Sequence, residues 1–279
     1  MANKVVTEDE SSKSLLWKVT GNDLSAPSYV FGTIHMIDAE DYFLPNGTLT
    51  ALEQSSLVVF EIDMNEMTDI TKLMPLMQKA MMDGDVSLKD LLSDEEYALV
   101  KSHFAELGLP LFFLEKIKPM FLTVFATGDF SPGDLQSGRI KSYEMEFAEL
   151  AKDGSKEIAG LETIEYQIGI FDAIPYEDQA KMLIEAIKSS DTEDSSLQEL
   201  VELYKQQDVE GLYQMMKGDE SIGEYEDILL NQRNNNWIPI MEDMMTNGAT
   251  FFAVGAGHLG GPNGVLQLLR QKGYKVTSS

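Results

Sequence analysis

Cysteine is missing from this chain of 279 residues, which excludes disulfides, thiolate-held zinc and thiol catalysis alike. Basic residues are scarce, 21 Lys and Arg against 47 Asp and Glu, for a formal net charge of −26. No stripe of Lys or Arg offsets that excess, so a nucleic-acid backbone would be repelled and no nucleic-acid partner is expected. The acidity serves solubility, or draws cationic ligands and metal ions. No apolar run approaches the ~20 residues that a membrane-spanning helix needs. The first fourteen residues, Met1 to Ser14, are polar and acidic without the apolar stretch of a signal peptide, so a leader was either never present or has been removed. They read as a disordered leader. Histidine occurs only three times.

What remains is ordinary for a globular protein with a core: 43% hydrophobic and 24% charged residues. Sixteen methionines read as core filler rather than as a Met-rich binding groove. Leu15–Val19 and Ser28–Gly32 read as strands separated by the turn residues Gly21-Asn22-Asp23. A helix over Gly47–Gln54 and a strand Leu57–Phe60, closing on Glu61, follow. Ser93 with Glu96 forms a capping box, and Tyr97, Val100, Phe104 and Leu107 continue at helical spacing. A helix over Tyr143–Lys152 leads to a short strand, Lys156–Ala159, and then to Gly160-Leu161-Glu162. Ser189–Ser196 is a polar linker or loop within a second helical block. Thr250–Val254, Val265–Gln271 and Tyr274–Val276 read as strand, helix and strand. The fold class is therefore α/β: a central mixed β-sheet flanked by helices. Residues 15–279 form a single domain in this reading, with helical insertions at about 65–127 and 175–246.

Two strings stand out, Gly32-Thr33-Ile34-His35 and Gly255-Ala256-Gly257-His258, each after an apolar strand. Glycine at a strand end permits a sharp turn and a close approach to a ligand. Imidazole titrates near neutrality and is the commonest metal ligand. Glu61 repeats the pattern of an ionisable residue where an apolar strand runs out. Ligands of open α/β sheets bind beyond the carboxyl ends of the strands, and His35, Glu61 and His258 meet there if their strands are parallel neighbours. Two imidazoles and a carboxylate make a common catalytic metal set. The competing reading has the histidines capping strand ends and Glu61 paired with a lysine.

Glu162 is a second carboxylate for the cleft, or an acid at a helix start. Arg233, in the polar run Asn231–Trp237, offers a guanidinium to a carboxylate or an oxyanion, or lies on an exposed helix face. Gln167 contacts substrate or caps structure. His103 reads as an ordinary helix residue. Gly260-Gly261-Pro262-Asn263-Gly264 lacks the phosphate-loop pattern and reads as a flexible entry to the last helix.

In order, the strand–Gly-x-x-His at Gly32–His35, the strand–Glu61, Gly160-Leu161-Glu162-Thr163, Asn231-Gln232-Arg233 and Gly255-Ala256-Gly257-His258-Leu259-x-Gly261 resemble the TraB/GumN family. That family includes the Tiki proteases and is related to the erythromycin esterase and ChaN-like proteins. The resemblance implies an α/β fold and, for the Tiki branch, a metal-dependent peptidase using Mn²⁺ or Co²⁺, with Zn²⁺ the ion favoured by affinity. It places His35 and His258 as metal ligands, Glu61 as ligand or general base, and Glu162 and Arg233 at further family positions. It also implies export or lipid anchoring upstream of this chain, hence an extracytoplasmic location, with a cytoplasmic one as the alternative. The leading expectation is a metal-dependent hydrolase that cleaves an amide bond of a peptide or protein. The rivals are a non-catalytic protein sequestering a peptide signal or haem, and a metal-independent esterase-like hydrolase.

Overall fold

The computed structural model describes residues 13–64, 76–126, 132–190, 196–218 and 223–279. Most of the expected leader, and residues 191–195 of the expected polar linker, lie outside these. Packing begins at Ser14, which is buried and donates its hydroxyl to the Leu16 carbonyl at 2.7 Å.

The strands are β1 (Leu16–Thr20), β2 (Ser28–Thr33), β3 (Ile37–Asp38), β4 (Leu57–Ile62), β5 (Ile140–Lys141), β6 (Glu157–Glu162), β7 (Thr250–Gly255) and β8 (Lys275–Ser278). Six of them form one sheet in the order β6-β4-β7-β2-β1-β8, and β3 pairs with β5 beside it. The run β6-β4-β7-β2 is parallel, whereas β1 is antiparallel to both β2 and β8. The sheet is thus mixed, and it is built from both ends of the sequence. The inner parallel strands β4, β7 and β2 carry largely apolar runs because both faces are covered, whereas the edge strand β6 is only partly buried. Phe251 packs its ring 5.1 Å from Phe147 of the Tyr143–Asp153 helix, with Phe31 5.0 Å from the same ring. Phe252, one residue on, points to the opposite face by the alternation of a strand. The Gln232–Asn247 helix belongs to the same core through Trp237, Met241 and Met245.

Of the segments expected as insertions, residues 65–75, 127, 191–195 and 219–222 lie outside the described residues, and the helices of the rest join two apolar clusters. The Asp94–Glu106, Pro119–Ala126 and Tyr176–Ser190 helices build a second apolar cluster around Val100, Phe104, Leu122 and Leu183. The Ser196–Lys205 and Val209–Gly218 helices instead add Tyr204, Val209 and Leu212 to the main core. The capping box is formed: Glu96 N–H donates to Ser93 Oγ at 3.3 Å and Ser93 N–H to the Glu96 carboxylate at 3.0 Å. His103 is a buried residue of that helix.

Gly160 faces Phe60 across the β6–β4 ladder. A Cβ there would lie against the Asp63 backbone nitrogen and 2.8 Å from the Ile62 carbonyl carbon. Neither atom is free to swing away. Gly160→Ala is therefore expected to lower stability by about 1–3 kcal/mol, the usual cost of overpacking, and thermal unfolding checks it. An unchanged melting temperature would mean that the β4–β6 register tolerates the methyl.

Candidate active site

The carboxyl ends of the four parallel strands fall along one edge of the sheet, and each delivers part of a polar cluster. Glu61 lies next to the end of β4 and Glu162 ends β6; the two strands pair Ile62 with Glu162. β7 ends at Gly255, whose register partner on β2 is Thr33. The two Gly-x-x-His strings therefore run side by side, one residue out of step. Neither Gly32 nor Gly255 has a positive φ, so the sharp turn expected of them is not their use. Both serve close approach. A Cβ on Gly32 would sit 2.9 Å from Leu259 Cδ1 and 3.0 Å from Ala256 Cβ, within the other string; one on Gly255 would sit 3.1 Å from Glu61 Oε1.

Arg233 is the hub. Its Nη2 donates to Glu61 Oε2 at 2.6 Å and to Glu162 Oε2 at 2.9 Å, and its Nε reaches both Glu162 oxygens at 3.1 Å. Nη1 donates to the Leu229 carbonyl at 3.1 Å and stands 3.1 Å from His258 Nε2. Leu229 lies in a π-helical segment, Asp227–Asn231, that runs straight into the Gln232–Asn247 helix. The polar run thus does not interrupt the helix; it widens one turn before it, a device common at functional sites. Gln167 donates to both carboxylates, at 3.3 Å to Glu61 and 3.0 Å to Glu162. Glu162 is not a helix-start acid: Thr163 caps the next helix by accepting from Tyr166 N–H.

Glu61 also accepts from the Gly255 N–H at 2.9 Å. Burial alone would raise its carboxyl, yet neighbouring positive charge, chiefly Arg233, and the Gly255 N–H hold it well below the usual carboxylate range. His258 behaves oppositely. Burial pushes its ring down to about 3 against the pull of Glu61, and Arg233 and His35 add to the lowering. The imidazole is therefore neutral at pH 7, which leaves Arg233 as the cation that holds Glu61. His258 Nδ1 lies 2.6 Å from Asn234 Oδ1. An amide oxygen only accepts, so the proton is assigned to Nδ1 and the lone pair to Nε2. The Trp237 ring stacks at 4.4 Å from the imidazole and carries the Arg233 guanidinium at 5.1 Å.

His35 stands apart, at the rim, with 72% of its side chain exposed. Its Nδ1 is 3.2 Å from Glu144 Oε1, and that hydrogen bond raises its pKa, while desolvation opposes the rise and water screens part of it. Glu61 and Arg233 also act on the His35 charge, so rim and interior share one electrostatic neighbourhood. The structure thus joins Glu61, Glu162, Arg233, His258 and Gln167, and places His35 beside them with Glu144. Among the described residues no group of three or more His, Asp or Glu side chains stands close enough to hold a metal ion. His258 Nε2 and Glu61 Oε1 are 3.9 Å apart, but the Arg233 guanidinium lies against both side chains.

Three members of the cluster escape a reading by motif. Asn234 and Trp237 lie in the polar run itself; Trp237 is four residues from Arg233 and three from Asn234, the spacing of one helix face. Glu144 carries no signal: it is the second residue of a helix capped by Ser142, far from either string.

Against known proteins, the profile of the TraB/PrgY/gumN family matches residues 15–278. The chain belongs to that family. Similar relatives of known name include Metalloprotease TIKI1 of Danio rerio, 20% identical over 97% of this chain and 64% of its own length. Metalloprotease TIKI1 of Homo sapiens is 23% identical over 94% of this chain and 61% of its own. Metalloprotease TIKI2 of Danio rerio is 21% identical, covering 94% and 60%. The family member described here thus spans less than two thirds of the length of these relatives. No solved structure matches it.

Proposed function

We propose that the chain is a metal-dependent hydrolase that cleaves an amide bond in a peptide or protein, working at the strand-end cluster. The observation that carries this is the tautomer arrangement of the two histidines. Each has Nδ1 committed to an outer partner, Asn234 for His258 and Glu144 for His35, so Nε2 is the nitrogen left for an ion, in His35 once the ring has lost its proton. Metal-binding histidines are held in this way. His35 and His258 would hold the ion, with Glu61 as third ligand or as the base for the attacking water. Mn²⁺ or Co²⁺ is the favoured ion and Zn²⁺ the alternative. When bound, the ion polarises a carbonyl and acidifies water. Glu61 would accept a proton from the attacking water, and Arg233, held by Glu162, would stabilise negative charge on the substrate oxygen.

In this reading residues 15–279 work as one domain, because strands from both ends of the chain close the sheet that carries the site. Export or lipid anchoring, with an extracytoplasmic location, belongs to the same proposal; among the described residues no helix is long and apolar enough to cross a membrane.

One observation favours a second reading, sequestration of a peptide or haem without turnover. Arg233 sits against His258 Nε2, so metal entry requires that the guanidinium withdraw. A diverse peptide library incubated with Mn²⁺, Co²⁺, Zn²⁺ or EDTA and read by mass spectrometry separates the two. Cleavage that needs metal and vanishes in His35→Ala is expected. Silence with every ion, together with retained peptide or a Soret band on adding haem, would establish sequestration instead.

A further inference from the structure

Outside the buried cluster, Glu144 holds a place that neither motif nor spacing marks. It opens the Tyr143–Asp153 helix, whose cap is Ser142. Its carboxylate gathers three partners: Thr33 Oγ1 donates to Oε1 at 2.7 Å, Ser142 Oγ donates to Oε2 at 3.0 Å, and His35 Nδ1 lies 3.2 Å from Oε1. The side chain is 16% exposed, although the imidazole that it holds is open to solvent. Thr33 ends β2 and is itself buried. The carboxylate is therefore clamped by the strand that carries His35 and by the turn that opens the helix. First-turn carboxylates are also favoured by the helix dipole.

A surface histidine on a loop has no reason to keep one ring orientation. His35 follows the end of β2 by two residues, and its neighbours Ile34 and Met36 are only partly buried. Glu144 supplies the missing constraint. We infer that Glu144 is a positioning residue: its doubly held carboxylate takes the His35 Nδ1–H and turns Nε2 toward the cleft. Its consequence for an ion rests on the metal-dependent reading above; its consequence for the ring does not.

Three histidines make the ring nitrogens assignable by long-range ¹H–¹⁵N spectra, with His35→Ala identifying the resonances. In metal-free protein, Glu144→Gln is expected to change the His35 ring-nitrogen shifts and to leave those of His258 in place, while Glu144→Asp keeps the wild-type pattern in part. Mn²⁺ binding, followed by the free-ion electron paramagnetic resonance signal, is expected to weaken about 10–100-fold in Glu144→Gln, the usual worth of an outer partner of a ligating histidine. Unchanged His35 shifts in Glu144→Gln would overturn the assignment. So would wild-type Mn²⁺ affinity in Glu144→Gln if His35→Ala loses it. A wild-type protein that binds no Mn²⁺ would sink the metal reading alone, and the ring spectra of the metal-free protein would still decide the role of Glu144. Circular dichroism of each variant guards against an unfolded helix start.

Discussion

Replacing Arg233 by methionine is expected to lower stability by about 3–5 kcal/mol, the range for removing one partner of a buried ion pair. The guanidinium is 11% exposed and the carboxylates of Glu61 and Glu162 are 15% and 3% exposed, so water is poorly placed to replace it. All three of its nitrogens donate, to five acceptor atoms on four residues. Lysine offers one compact charge in place of that fork, so Arg233→Lys is expected to recover only part of the loss. The largest component is two carboxylates left buried without a cation. That component disappears if the acids are neutral: in a Glu61→Gln, Glu162→Gln background the same methionine substitution should cost far less. Urea unfolding of the wild type, the single variant, the double background and the triple variant gives the coupling directly. A loss below ~1 kcal/mol in Arg233→Met would mean that the acids find other partners. The effect should also shrink as pH falls, beginning above the ordinary glutamate value, because burial raises the Glu61 carboxyl once Arg233 is gone.

Much of this site was legible because the sheet is parallel where it matters. An ionisable residue after an apolar strand points beyond the carboxyl edge whenever the strand runs with its neighbours. Glu61, Glu162 and His258 all obey that rule. Their convergence needed the strand order, with β4 between β6 and β7, which no local pattern encodes. Arg233 was visible as a polar break in an apolar helix, but its choice of two carboxylates depends on a widened turn at Asp227–Asn231. The two histidine strings look equivalent in sequence, and they are not. One residue of register offset and a neighbouring tryptophan bury His258, whereas His35 stays at the rim. Glycine and proline mark Gly260–Gly264 as a flexible loop by composition, yet the glycines are packing residues. A Cβ on Gly261, which has φ +77°, would meet the Tyr213 ring at 2.5 Å, and one on Gly264 would collide with the Gly260 carbonyl. Composition reports backbone freedom, and packing decides whether it is used for motion or for contact.

His258 is expected to carry the largest effect on turnover and a distinct signature without it. A positioned acid, base or ligand is worth about 10²–10⁴-fold in rate, and His258→Gln should lose at least that much peptidase activity. Asn234→Ala, which frees the Nδ1 proton, should lose about 10–100-fold. Both variants keep the core, since Trp237 and Met241 still seal the Gln232–Asn247 helix against the sheet. The metal-free protein reports the same residue through pH. A histidine whose folded pKa is about 3, against an ordinary 6.5, stays neutral while the unfolded chain takes up a proton. The unfolded state then binds more protons, so stability falls as pH drops from 6.5 toward 3. His35 has the opposite sign: its raised pKa gives stability that is full below 6.5 and is lost as pH rises above it. The two histidines therefore place the optimum near 6.5. Between pH 6.5 and about 5, above the range where carboxylates titrate, the acid-side slope belongs to His258. In EDTA, His258→Gln should flatten that slope and leave the alkaline side intact. Persistence of the full acid-side slope in His258→Gln would show that the imidazole is not neutral in the folded protein, and with it the assignment of an unprotonated Nε2 that accepts from Arg233 would fail.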